Sequence, residues 1–74
     1  MLSMGKDIIM KLYDVPNGSK IITLRKPEIP PASKPVFKGD ALEFVRIDGM
    51  YGKCWDIDGE AVYIAAWTEV EVVK

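Results

Sequence analysis

Between residues 41 and 67 the chain repeats one pattern three times. The runs ALEFVRI, MYGKCWDI and EAVYIAAW are rich in β-branched and aromatic residues, and only Asp48-Gly49 and Asp58-Gly59 separate them. Runs of this length and composition are strands, and an Asp-Gly pair suits a two-residue turn whose central residues both need positive φ. The expectation is an antiparallel meander. Pairing about the first turn sets Ile47 opposite Met50, Val45 opposite Gly52 and Leu42 opposite Trp55. About the second, Ile57 faces Glu60, Trp55 faces Val62 and Cys54 faces Tyr63. One face then gathers Leu42, Phe44, Tyr51, Trp55, Ile57, Val62 and Ile64, while the other carries Val45, Ile47, Met50, Cys54 and Tyr63. Apolar residues on both faces do not fit an open sheet with one wet side. They imply a small curled barrel, or a sheet covered by another element or subunit. Gly52 is expected to mark a bend or bulge.

The flanking segments add strands but no convincing helix. Residues 6–15 place Ile8, Ile9, Leu12 and Tyr13 at helical spacing, yet the stretch is short and Pro16 stops it. Pro16-Asn17-Gly18-Ser19 is a turn signal, and the β-branched run Lys20 to Leu24 reads as a strand. Residues 25–38 contain Pro27, Pro30, Pro31 and Pro35. Proline has no N–H for a sheet ladder, so this is a long loop, partly extended as polyproline II. Val70 to Val73 supplies a last short strand.

Composition limits the chemistry. A chain of 74 residues is a single domain, near the lower end of what folds without disulfides or metal. Cys54 is the only cysteine and there is no histidine, which removes an intrachain bridge, the usual general base and the commonest zinc ligand. No run approaches the roughly 18 apolar residues of a membrane span. The N-terminus lacks the continuous apolar stretch of a secretory leader, so a cytoplasmic protein without membrane contact is expected. Met1, Met4 and Met10 are each potential starts. Residues 1–10 are therefore an N-terminal extension or first strand, and residues 11–74 the domain. Residues 1–38 hold seven Lys/Arg against three acids, whereas residues 39–74 hold three against eight. That asymmetry favours oriented contact with a charged partner or with a second copy.

The order of these signals resembles a Src-homology-3-type barrel over residues 11–73. The family opens with an A-L-Y-D-Y-like strand, matched here by Lys11-Leu12-Tyr13-Asp14-Val15. After a long loop, its K-G-D-x-L turn and strand are matched by Lys38-Gly39-Asp40-Ala41-Leu42. Its G-x-x-G-Y-I-P segment is similar to Gly59 through Trp67, with a helical turn around Ala65 to Thr68. The resemblance implies an all-β, five-stranded small barrel with a proline-rich loop and one short helical turn near residues 65–68. It implies peptide binding less directly. Tyr13 matches the first groove residue, but Met50 stands in the position of the groove Trp, Ala65 in that of the Pro, and Thr68 near that of the second Tyr. The chain is also similar to small bacterial and phage barrel proteins, a likeness that carries no activity.

Several candidate sites follow. Asp56-Ile57-Asp58-Gly59-Glu60 starts like a calcium loop, but it lacks the glutamate at position twelve and fits a turn better. Arg25, Lys26, Lys34 and Lys38, near Tyr13 and Phe37, form a candidate basic patch for nucleic acid. Pro27 to Pro31 is either a ligand for another barrel or a stiff connection that blocks edge pairing. Cys54 lies mid-strand without a base, and the acid pairs Asp56/Asp58 and Glu69/Glu71 read as solvated faces, so no enzyme and no cofactor are expected. The expected function is a non-catalytic protein-interaction module that contacts another protein or a second copy through Tyr13, Met50, Tyr51, Tyr63 and Trp67. The alternatives are a nucleic-acid-binding barrel and a self-assembling structural subunit.

Overall fold

A computed structural model of the chain describes residues 8–73. They form one six-stranded antiparallel sheet. Its strands are β1 (Ile8–Lys11), β2 (Lys20–Thr23), β3 (Ala41–Asp48), β4 (Tyr51–Trp55), β5 (Ala61–Ala65) and β6 (Glu69–Val73). Their order across the sheet is β1-β6-β2-β3-β4-β5. The fold is therefore all-β, but with six strands rather than five. The end strands β1 and β5 do not pair, so the sheet is not closed. Ile8 to Met10, offered by the sequence as an extension or first strand, pair with Val72 to Val70 and so belong to the sheet.

The K-L-Y-D-V segment is not one strand. Lys11 ends β1, and Leu12–Asp14 form a single 3-10 turn in which Leu12 is fully buried. Strand β4 explains why Leu12 turns inward. A Cβ on Gly52 would overlap Leu12 Cδ2 and stand 3.1 Å from Phe44 Cε1, so glycine leaves the space that Leu12 fills. Gly52 is thus a site of close approach and not the expected bulge. The bulge lies in β3, where the register shifts between Phe44 and Arg46 and leaves Val45 extra. One core joins the inward residues of the sheet, among them Leu12, Ile21, Phe44, Cys54, Ile64 and Val70.

Both Asp-Gly turns differ from expectation. The first hairpin turns on Gly49-Met50, because Asp48 faces Tyr51 and Ile47 faces Gly52. Gly49 adopts φ +67°, the left-handed region open to glycine. The second hairpin has a five-residue loop, residues 56–60, closed by the pair Trp55 and Ala61. The Asp56 N–H donates to the Glu60 carbonyl at 2.9 Å, and the Gly59 N–H to the Asp56 carbonyl at 3.0 Å. Asp56 Oδ1 accepts from the N–H groups of Asp58 and Glu60, each at 2.9 Å. Cys54 therefore faces Val62, one residue from the expected register. A one-residue slip turns every side chain over. Cys54 is consequently buried, while Trp55 and Ile57 are 38% and 85% exposed.

The long loop between β2 and β3 is anchored along its length. At its base the Thr23 hydroxyl donates to the Phe37 carbonyl at 2.7 Å and accepts from the Asp40 N–H at 3.1 Å. Val36 is buried in the core, and Pro27 is buried as well. Further along, the loop covers the outer edge of β5. The Ala65 N–H donates to the Glu28 carbonyl at 2.8 Å, and the Tyr63 N–H to Ser33 Oγ at 3.1 Å. The Ser33 hydroxyl is itself within reach of the Lys34 and Tyr63 carbonyls, at 3.1 and 3.4 Å. An edge strand left bare is a template for unwanted pairing. Here the proline-rich segment occupies it. Residues 65–68 hold no helix: the Thr68 N–H donates to the Ala65 carbonyl at 3.0 Å, closing a tight turn.

Candidate functional site

Three of the five expected contact residues share one end of the sheet. Tyr13 lies in the 3-10 turn, Met50 in the β3–β4 turn and Trp67 in the β5–β6 turn, and all three are exposed. Main-chain bonds lock these turns together. The Tyr13 N–H donates to the Ala66 carbonyl at 3.0 Å, and the Ala66 N–H donates to the Met50 carbonyl at 2.9 Å. The Trp67 indole N–H reaches Glu28 Oε1 at 3.1 Å, tying the ring to the proline-rich loop. Tyr51, next to Met50, and Tyr63 lie in strands and not in these turns. They lie on the outer faces of β4 and β5, half-buried, with Tyr51 paired to Ala65 and Tyr63 paired to Lys53.

The expected basic patch is divided. Lys34 Nζ is 2.6 Å from Asp56 Oδ2, 3.1 Å from Glu60 Oε1 and 3.5 Å from Asp58 Oδ2. Hydrogen bonds to Asp56 and Glu60 push the Lys34 pKa up, and the bond from Lys34 holds the Asp56 carboxyl below its ordinary range. The acidic loop thus encloses an ammonium from its own chain. Among the described residues, no group of His, Cys, Asp and Glu is arranged to hold a metal ion. Lys34 has its charge met within the molecule, which leaves Arg25, Lys26 and Lys38 near the base of the loop. The Lys26 ammonium lies 5.7 Å from the centre of the exposed Phe37 ring.

The register of the second hairpin creates a surface that sequence reasoning missed. A groove of about 360 Å³ runs over the outside of the sheet, with Ile22, Ala41, Trp55, Ile57 and Val73 among its lining residues. The Lys53 ammonium sits 4.9 Å from the centre of the Trp55 ring. The signal lay in Asp56: an Asp that can cap the N–H groups of residues two and four further on favours a longer loop than Asp-Gly alone requires.

Cys54 is buried between Phe44 and Val62, and burial pushes its thiol up to about 12. At neutral pH it is a thiol, which is a poor nucleophile. No helix among the described residues is long and apolar enough to cross a membrane. The chain matches no protein-family model, no curated protein and no solved structure.

Proposed function

We propose that this chain is a non-catalytic protein-interaction module of Src-homology-3-like build, working in the cytoplasm without a cofactor. One observation carries the reading. Tyr13, Met50 and Trp67 expose large apolar side chains on three separate turns, which two main-chain hydrogen bonds hold in fixed relation. Exposed aromatic and sulfur side chains on a rigid frame suit recognition, because little ordering entropy is lost on contact. The partner is another protein or a second copy. Tyr51 and Tyr63 extend the surface along the outer face toward Trp55. Nucleic-acid binding has less support, since Lys34 is neutralised within the molecule and only Arg25, Lys26 and Lys38 of the expected patch remain.

Capture from a lysate of the native host tests this reading. A partner retained by the wild-type chain and released by both Trp67→Ala and Met50→Ala supports it. A partner held equally by all three places the contact elsewhere. Retention of DNA or RNA, with log affinity falling linearly with log salt, would favour the basic residues instead.

A further inference from the structure

The outer groove carries a pattern that is complementary to itself. Four strands contribute one row of paired residues: Val73 beside Lys20, Lys20 beside Glu43, and Glu43 beside Trp55. Across β6, β2, β3 and β4 the row reads apolar, positive, negative, apolar. The next row places Glu71 beside Ile22 and Ile22 beside Ala41. All of these residues but Glu71 line the groove. No ion pair joins Lys20 to Glu43 within the chain, although they are cross-strand neighbours.

Consider a second copy facing this surface, related by a two-fold axis that runs along the strands midway between β2 and β3. The rotation reverses the row. Lys20 then faces Glu43 of the other copy, Glu43 faces its Lys20, Val73 and Trp55 meet, and Ile22 meets Ala41. Such a contact is isologous, with every pairing made twice. It keeps the strands of the two sheets close to aligned, the usual geometry for sheets stacked about 10 Å apart. Ile57, 85% exposed at the Trp55 end of the groove, comes against β6 of the other copy, near Val73 and Glu71. A single monomer leaves most of this side chain in water.

We infer that the outer face of β6, β2, β3 and β4 is a self-association surface, on which two copies stack through Trp55, Ile57 and Val73 around reciprocal Lys20–Glu43 pairs. This surface is separate from the Tyr13–Met50–Trp67 end and stands whether or not that end binds a partner.

Sedimentation of the full chain from micromolar to millimolar concentration tests it. The wild type is expected to dimerise, and Ile57→Asp to weaken the dimer by about tenfold or more. Because Ile57 is exposed, an unchanged thermal melt of that variant at monomeric concentration shows that its fold is intact. Lys20→Glu and Glu43→Lys should each weaken association, and the double exchange should restore it. Trp67→Ala should leave it unchanged. A wild type that stays monomeric throughout would overturn the inference. So would a dimer indifferent to Ile57→Asp, a double exchange that fails to restore it, or a dimer dissolved by Trp67→Ala.

Discussion

The two hairpins of the meander contain the same dipeptide and use it differently. In the first, Asp48 is the last residue of β3, Gly49 and Met50 make the turn, and the Asp48 carboxylate meets the Arg46 guanidinium at 3.9 Å on the surface. In the second, Asp58-Gly59 is merely part of a loop that Asp56 organises. One oxygen of Asp56 takes two N–H groups, and the other takes the Lys34 ammonium. A side chain three residues upstream of the glycine therefore sets the loop length. Loop length sets register, and register decides that Cys54 is inside and Trp55 outside. Turn sequence alone does not specify a hairpin when a neighbouring carboxylate competes for its amides.

The largest effect is expected where the two hairpins share a strand. Gly52→Val places a branched side chain against Leu12 and Phe44 and should cost about 3 kcal/mol or more, measured by urea unfolding. Asp56→Ala comes next and breaks only the second hairpin. It should lower the melting temperature, speed hydrogen exchange at the Asp58 and Glu60 amides, and leave the Gly49-Met50 turn intact. A spectrum in which both turns shift together would show that the hairpins are not independent.

The pH profile sharpens the same contrast. Asp56 titrates below its ordinary value, so its contribution is complete above about pH 4 and is lost as pH falls through the folded value. Lys34 titrates above its ordinary value, so its contribution is complete below about pH 10 and is lost as pH rises through the folded value. Stability measured against pH should therefore show a plateau between these limits. Lys34→Met should flatten the alkaline limb and reduce the acid one. The smallest effect belongs to the first hairpin: Asp48→Ala should change stability by no more than about 0.5 kcal/mol, since its single ion pair is long and exposed.

The all-β character, the turn at residues 16–19, the strands from residue 20 onward and the proline-rich loop were legible because β-branched runs and proline act locally. Pairing register was not. It depends on hydrogen bonds to the Asp56 carboxylate, a signal that the Asp-Gly pair overshadowed, and on a bulge at Val45 that no local composition marks. Trp67, expected as a contact residue, is exposed, and Cys54 lies in a strand as expected but opposite Val62 in place of Tyr63. The groove around Trp55 and Ile57 stayed hidden for the same reason, because the shifted register assigned both to the face grouped with the core residues Phe44, Val62 and Ile64. Leu12 was obscured differently. Its burial follows from the empty volume above Gly52, a long-range fit between residues forty apart in the chain.

The solitary thiol has a use of its own. Cys54 has no exposed surface and sits where β3, β4 and β5 meet the core, so a thiol reagent can reach it only after those strands separate. Its rate of modification is then a built-in clock for opening of the central meander, readable without introducing any probe.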